Sequence, residues 1–470
     1  MGKKRNRIKS LEKIEFTDAG ARGKAVGHAE DGRVVFVSNA IPGDVADVKA
    51  RVKKGKFYEG KATHFHSLSN RRTEPKCIHF GVCGGCKWQF MNYEDQLHFK
   101  EKEVAQNLKR IGKVEVESHE SILPAPSPYY YRNKMEFSFS DQAWISDEEI
   151  ASGIEFEKKP ALGFHAPGRW DKSIDLKECH LQAEPSNSIR LAVRDFALQE
   201  GMEFYNPKFQ TGLLRTLMIR TSSTGGIMVL VQFKEKDSLA QEKLLNFIRT
   251  SFPEVTSIFY VINPKVNDSM ADLDPILYHG DDHILEEMED LKFRVGPKSF
   301  YQTNADQAYN LYKLVRDYAG LTGSELVYDL YTGTGTIAQF LAKKAKKVIG
   351  IEYVEEAIQD ARVNMEMNGL SNLEFFAGDM KKVLNQEFID DHGIPDVLVT
   401  DPPRDGMHKD VIYKILEAKP KRIVYVSCNS ATQARDLEIM KDSYRVLKSK
   451  AVDMFPQTHH VENVVLMELK

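Results

Sequence analysis

What most constrains this chain is a rhythm that begins near Leu291, where short apolar runs alternate with amphipathic stretches of helical period. The runs are Val327-Tyr328-Asp329-Leu330, Lys347-Val348-Ile349-Gly350-Ile351, Asp396-Val397-Leu398-Val399-Thr400 and Arg422-Ile423-Val424-Tyr425-Val426. Largely apolar strands joined by helices are buried on both faces, so the pattern predicts a doubly wound α/β sheet. Ligands of such a sheet sit at the C-terminal ends of its strands. The polar residues that follow each run are therefore the first candidates for chemistry.

Upstream, the 470-residue chain has room for about two further units at roughly 150 residues per domain. From Ile14 to about His66, Val34-Val35-Phe36-Val37, Val45-Ala46-Asp47-Val48 and Gly60-Lys61-Ala62-Thr63 are short strand-like runs separated by turns such as Ile41-Pro42-Gly43-Asp44. That spacing favours a small β-barrel over residues 1–66, an architecture that often binds oligonucleotides. Residues 1–66 carry 15 Lys/Arg against 8 Asp/Glu, a formal +7, which leaves −10 for the rest of a chain whose net charge is −3. A basic module on an acidic body suits phosphate binding, hence an RNA partner, although a merely solubilising tail has the same composition. Residues 67–290 read as a central α+β unit: Met135-Glu136-Phe137-Ser138-Phe139 alternates as a strand does, and a helix is expected from about Asn92 to Arg110. That helix, within 92–112, has the option of packing on the last unit, residues 291–470. No apolar run approaches the roughly 18 residues of a membrane span, and no apolar stretch follows the basic N-terminus, so a cytoplasmic protein without a membrane partner is expected.

After the first strand of the α/β unit comes Asp329-Leu-Tyr-Thr-Gly333-Thr-Gly335-Thr-Ile-Ala338. Glycines there let the backbone approach a ligand closely, and Glu352, at the end of the second strand, is positioned to bind ribose hydroxyls. The loop formally satisfies the dinucleotide pattern as well. Two features favour S-adenosylmethionine. An acidic residue just before the glycines sits badly against a pyrophosphate but tolerates an aminoacyl ammonium. Asp379 and Asp401-Pro402-Pro403-Arg404 also follow the next two strands, lining one cleft. Arg404 stands where an aromatic would be expected for methylation of an exocyclic amine, so that chemistry is disfavoured.

Val426-Ser427-Cys428-Asn429 ends the next strand with a thiol at the ligand edge. A lone cysteine is more often a small buried hydrophobe. Methylation at carbon 5 of uracil gives this one a purpose, because that carbon is a poor nucleophile until a thiolate adds at carbon 6. A base must afterwards remove the carbon 5 proton, and Glu462, in Phe455-Pro-Gln-Thr-His-His-Val-Glu462, is available. On sequence alone a solvated carboxylate is the blander reading of Glu462. The other four cysteines, Cys77-x5-Cys83-x2-Cys86 and the distant Cys179, form a set of thiols that an intracellular chain should not hold as disulfides. Zinc and an iron–sulfur cluster both accept four thiolates; three close ligands and one distant one fit a cluster better than paired zinc hooks.

Through these motifs the chain resembles the RNA uridine-5-methyltransferase family over nearly its whole length, most closely its ribosomal RNA branch, of the 23S rRNA kind. The resemblance implies a TRAM-like N-terminal barrel, a Rossmann-like methyltransferase domain, Cys428 as nucleophile and Glu462 as base. It also implies cofactor contacts from Gln302, Tyr331, Thr336, Glu352, Asp379 and Asp401, and a [4Fe–4S] cluster on Cys77, Cys83, Cys86 and Cys179. Thr336 stands where the family often has Asn, and Ser430 replaces the usual Pro after Ser-Cys-Asn. The barrel and the four cysteines favour ribosomal over transfer RNA, because the family's transfer RNA branch commonly lacks both. A catalytically idle RNA-binding or folding protein on the same scaffold is the alternative of another class.

Overall fold

The computed structural model describes residues 8–53, 55–145, 147–153 and 159–470; residues 1–7 of the basic N-terminal arm lie outside it. Ile8–Gly20, Lys24–His28, Val34–Val37, Val45–Lys53 and Phe57–Ser67 close into a five-stranded barrel. Alternate residues such as Val35, Val37, Val48 and Ala50 point inward onto Ile14, Phe16 and Tyr58. Closure removes the free strand edges that would invite association.

The central sheet has seven strands in the order Ile276–Gly280, Ser257–Ile262, Ile227–Phe233, Leu214–Thr221, Lys134–Ser140, Ala161–His165, Ser173–Asp175. The helices Ser186–Gln199 and Ser238–Ser251 bury Ile189, Val193, Leu244 and Ile248 against it.

The C-terminal sheet has eight strands, in the order Leu373–Ala377, Lys347–Glu352, Leu326–Leu330, Val397–Thr400, Arg422–Ser427, Glu462–Leu469, Tyr444–Val452, Val116–Leu123. The first five run parallel, and Glu462–Leu469 is antiparallel to both its neighbours. Apolar side chains cover both faces in two cores, as the uninterrupted apolar runs demand. Among the described residues no helix is long and apolar enough to cross a membrane.

The chain crosses between units more often than its hydrophobic pattern suggests. Val116–Leu123, which falls in the stretch assigned to the central unit, pairs in parallel with Tyr444–Val452 at the edge of the catalytic sheet. The helix Tyr93–Asn107, continued by a wider turn at Leu108–Gly112, also packs there, against Ser430–Met440. The 290/291 boundary falls inside a tight hairpin, Ile284–Met288 against Leu291–Val295, whose apolar residues join the core of the catalytic sheet. Periodicity reports that a strand exists, not which strand it will pair with.

The three units meet at the connection between Tyr444–Val452 and Glu462–Leu469. Asp453, wholly buried, takes Lys100 Nζ at 2.6 Å and Tyr93 Oη at 2.8 Å, both from the helix Tyr93–Asn107. Lys100 also donates to the Phe455 carbonyl at 3.2 Å. Gln96 and Gln457 exchange hydrogen bonds of 3.0 and 3.1 Å, and the amides of Lys87 and Trp88 donate to the Gln457 carbonyl. Trp88 is buried and its indole N–H donates to Gly23 of the barrel at 3.1 Å, while Tyr131 Oη of the central unit donates to the Pro456 carbonyl at 3.0 Å.

Removing one member of a buried ion pair leaves an uncompensated charge and typically costs about 3–5 kcal/mol. Lys100→Met should therefore lower the urea midpoint of unfolding markedly, and the double variant Lys100→Met, Asp453→Leu should recover much of the loss. A Lys100→Met protein as stable as the parent would refute this role for the pair.

Candidate active site

The strand Leu326–Leu330 ends in a loop built to bring backbone close to a ligand. Tyr331 has φ of 62°, a conformation that costs a non-glycine residue about 1–3 kcal/mol and is found mainly at functional sites. Gly335, at φ 75°, could carry no side chain: a Cβ there would lie 2.8 Å from the Phe375 ring and 3.0 Å from Ala361. This packing turns the chain directly into the helix Thr336–Ala342.

Glu352 ends the next strand and is fixed by three backbone donors. Its Oε2 accepts from Gly333 at 3.1 Å, and Oε1 accepts from Tyr353 and Val354 at 2.8 and 3.1 Å. Asp379 follows the third strand and caps Met380–Val383, and Asp401 follows the fourth. Thr336 is buried, with its hydroxyl 3.4 Å from that of Thr334. Gln302 enters from the loop before the helix Ala305–Ala319; it hydrogen-bonds Tyr312, whose hydroxyl feels the charges of Asp401 and Asp329. All six residues expected to contact a cofactor thus gather at the C-terminal edge of the parallel strands. Asp329 joins them, and the sequence reading gave it only a tolerated charge. It is buried, its Oδ2 accepts from Thr332 at 2.5 Å and its Oδ1 has no partner, so burial pushes its carboxyl up to about 7.

The register brings Cys428 and Glu462 together. Ser427 pairs with Asn463 in the antiparallel ladder, so the next opposed positions are Cys428 and Glu462. Cys428 is half-buried, and its thiol is pushed up to about 11 by burial and then by the negative charges of Glu462 and Asp401. Arg404 opposes this through its charge and a hydrogen bond to the sulfur. Glu462 is buried, and both burial and Asp401 raise its carboxyl well above the ordinary range. A carboxylate so raised is a stronger base near neutrality.

Arg404, whose place in the sequence served only to disfavour other chemistry, therefore lies within reach of both groups. Its carbonyl accepts from Asn429 Nδ2 at 3.0 Å and Thr432 Oγ1 at 3.1 Å, and its guanidinium lies 2.9 Å from His460 Nδ1. Burial, aided by Arg404, pushes His460 down to about 4, so its neutral ring can accept that bond. Its adjacency to Asp401-Pro-Pro was the only sequence signal, and it named no partner.

Cys77, Cys83, Cys86 and Cys179 line one pocket with Phe80, Gln89 and Phe164. Burial raises all four thiols, Cys86 to about 12 and Cys179 to about 11; neighbouring thiols add to the rise at Cys83, Cys86 and Cys179, and Glu178 adds to it at Cys77. Among the described residues, no group of three or more His, Cys, Asp or Glu side chains is arranged to hold a metal ion. The four thiols share a pocket without closing on one centre.

A family profile described as tRNA (Uracil-5-)-methyltransferase matches residues 281–470. An uncharacterized RNA methyltransferase of Bacteroides thetaiotaomicron is 54% identical over 96% of this chain and 100% of its own length. Another, of Chlorobaculum tepidum, is 39% identical over 99% of this chain and 97% of its own. Among solved structures, the tRNA (uracil-54, C5)-methyltransferase of Pyrococcus abyssi in complex with S-adenosyl-L-homocysteine superimposes with a TM-score of 0.74 at 28% identity, over 96% of this chain and 99% of that one.

The charges around Cys428 have a direct readout in its alkylation by iodoacetamide, followed by mass spectrometry of its peptide. The rate should climb with pH toward about 11, because only the thiolate reacts. Glu462→Gln removes a negative charge and should shift the profile to lower pH; Arg404→Leu removes the opposing positive charge and should shift it to higher pH. Superimposable profiles for all three proteins would show that these groups do not act on the sulfur.

Proposed function

The chain belongs to the RNA (uracil-5-)-methyltransferase family, and on that premise we propose that it methylates carbon 5 of a uridine in structured RNA through a covalent bond to Cys428. The observation that carries this reading is the strand register that opposes Cys428 and Glu462 at the cleft edge.

S-adenosylmethionine, when bound, supplies an electrophilic methyl group, and the S-adenosyl-L-homocysteine of the archaeal neighbour supports it as the donor. The residues fit such a molecule: Glu352, its carboxylate already oriented, would hold the ribose hydroxyls. Asp329, with a buried oxygen lacking any partner, suits a cationic aminoacyl end. Gln302, Tyr331, Thr336, Asp379 and Asp401 complete the cleft.

Arg404 helps Cys428 ionise by donating to its sulfur. The thiolate adds to carbon 6 of the uracil, and the electron pair of the C5–C6 double bond moves into the ring as an enolate. Carbon 5 thereby becomes able to take the methyl group. It then carries both methyl and hydrogen, and Glu462 removes the proton. The freed pair restores the C5–C6 bond, the bond from carbon 6 to sulfur breaks, and Cys428 leaves as thiolate. A uridine inside a helix must be unstacked before the sulfur can reach it. The basic barrel would hold the RNA by its phosphates.

The barrel and the cysteines support ribosomal RNA as the substrate. Transfer RNA is the second reading, and one observation favours it: the Pyrococcus abyssi neighbour, a tRNA methyltransferase, spans 96% of this chain. The two RNAs are told apart by the same experiment that tests the chemistry. Glu462→Gln keeps the side-chain shape but not the base, so addition and methyl transfer should proceed while release stalls. The variant should accumulate a protein–RNA adduct that already carries the labelled methyl group, and sequencing the trapped RNA identifies the substrate. Normal turnover, or an adduct without the methyl, would remove Glu462 from this role.

For the cysteines we propose a [4Fe–4S] cluster, with zinc as the lesser alternative. Four half-buried thiols lining one pocket are the chemical donor set that either accepts, and the methyl transfer itself requires no redox step from it. Protein purified without oxygen should be brown with about four irons per chain, and Cys179→Ala should bleach it. Colourless protein with stoichiometric zinc would overturn the cluster.

A further inference from the structure

We propose that Tyr129, Tyr130 and Lys76 form a second RNA contact, a stacking site for an unpaired base of the substrate strand beside the segment that carries Glu462. The inference rests on the RNA methyltransferase reading and extends it to a site on the central unit.

Three consecutive tyrosines have three different fates. Tyr131 turns inward and its hydroxyl holds the Pro456 carbonyl at 3.0 Å. Tyr130 turns outward: the residue is 43% exposed, and its backbone, at φ 56°, occupies the left-handed region that side-chain-bearing residues avoid. It is held in that posture at both ends. Its amide donates to the His180 carbonyl at 2.8 Å, and its hydroxyl lies 2.8 Å from His180 Nδ1. Tyr129 leans on the same imidazole, edge to face at 6.4 Å. The fold thus spends backbone strain and two hydrogen bonds on keeping an aromatic ring at the surface. Such strain, where the surroundings enforce it, marks functional positions.

Lys76 supplies the charge. Its ammonium lies 4.6 Å from the centre of the Tyr130 ring and 5.2 Å from that of Tyr129. It is exposed, and among the described residues it forms no ion pair with a carboxylate. Glu178, just ahead of His180 in the chain, lies 3.2 Å from His180 Nδ1. Aromatic faces paired with a free cation are what single-stranded nucleic acid binds: a base stacks on a ring and the cation turns to the phosphate.

The site is continuous with the active centre. Arg132, next to Tyr131, places its guanidinium 5.5 Å from the Phe455 ring. Phe455 lies 6.3 Å from His460, which bonds Arg404 beside Cys428. These contacts link the segment that carries Tyr130 to Arg404 beside Cys428.

The test is fluorescence anisotropy of the full chain with a short labelled single-stranded RNA and with the same strand in a duplex. Tyr130→Asn removes the ring, and Asn accepts the left-handed backbone, so the fold is preserved. This variant should bind the single strand about tenfold more weakly, while Tyr130→Phe, which keeps the ring and the backbone bond but not the hydroxyl bond to His180, should lose much less. Lys76→Ala should reduce the salt dependence by about one phosphate contact. Duplex binding should change little, since its bases are already stacked on each other. A parent chain that binds neither RNA would overturn the methyltransferase reading along with this one. Binding by the parent that Tyr130→Asn retains, or that it loses equally on the duplex, would overturn the stacking site alone.

Discussion

The buried pair of Lys100 and Asp453 is the interaction on which the rest of the molecule depends. Neither charge reaches solvent, and with Tyr93 they lock the connection between the last two strands to the helix Tyr93–Asn107. Downstream on that same connection, Gln457 receives the cysteine-bearing segment, Pro456 receives Tyr131, and His460 receives Arg404. Glu462 begins the strand that follows. The position of Glu462 is thus set by contacts from the helix and from the chain on both sides of it.

The electrostatics of the site carry an internal tension. Burial and Asp401 raise the Glu462 carboxyl, which would suit a base, but burial and the charges of Glu462 and Asp401 also make Cys428 harder to ionise. Arg404 works against that penalty at both groups. On the proposed mechanism, a single guanidinium facing a half-buried thiol and a buried carboxylate would allow one group to be ionised as nucleophile and the other later as base.

Much of the site was legible in the sequence because it lies at strand ends, where short apolar runs stop and polar residues begin. Glu352, Asp379, Asp401 and Cys428 all follow such runs, and the structure gathers them along one edge. The barrel was legible for a related reason, since Gly and Pro turns punctuate its strands. What could not be read were partnerships across long separations. Val116–Leu123 is mostly polar with half of its residues exposed, and nothing local assigns it to a sheet whose next member lies more than 300 residues later. Lys100 looks like a surface lysine on a charged helix until Asp453 is found opposite it. Arg404 and His460 are 56 positions apart and meet only because the fourth strand and the last connection end on the same side.

Gly23 of the barrel packs so closely that a Cβ there would stand 3.1 Å from that of His459 and 3.2 Å from the Trp88 indole nitrogen. The barrel is therefore not a tethered hand free to swing but a fixed jaw, set against the residue next to His460. An RNA gripped by this jaw would present to Cys428 only nucleotides that lie one set span from the grip. Selection of the uridine would then become a matter of measurement: the enzyme would act as a caliper, choosing by distance along a folded RNA as well as by the identity of the base.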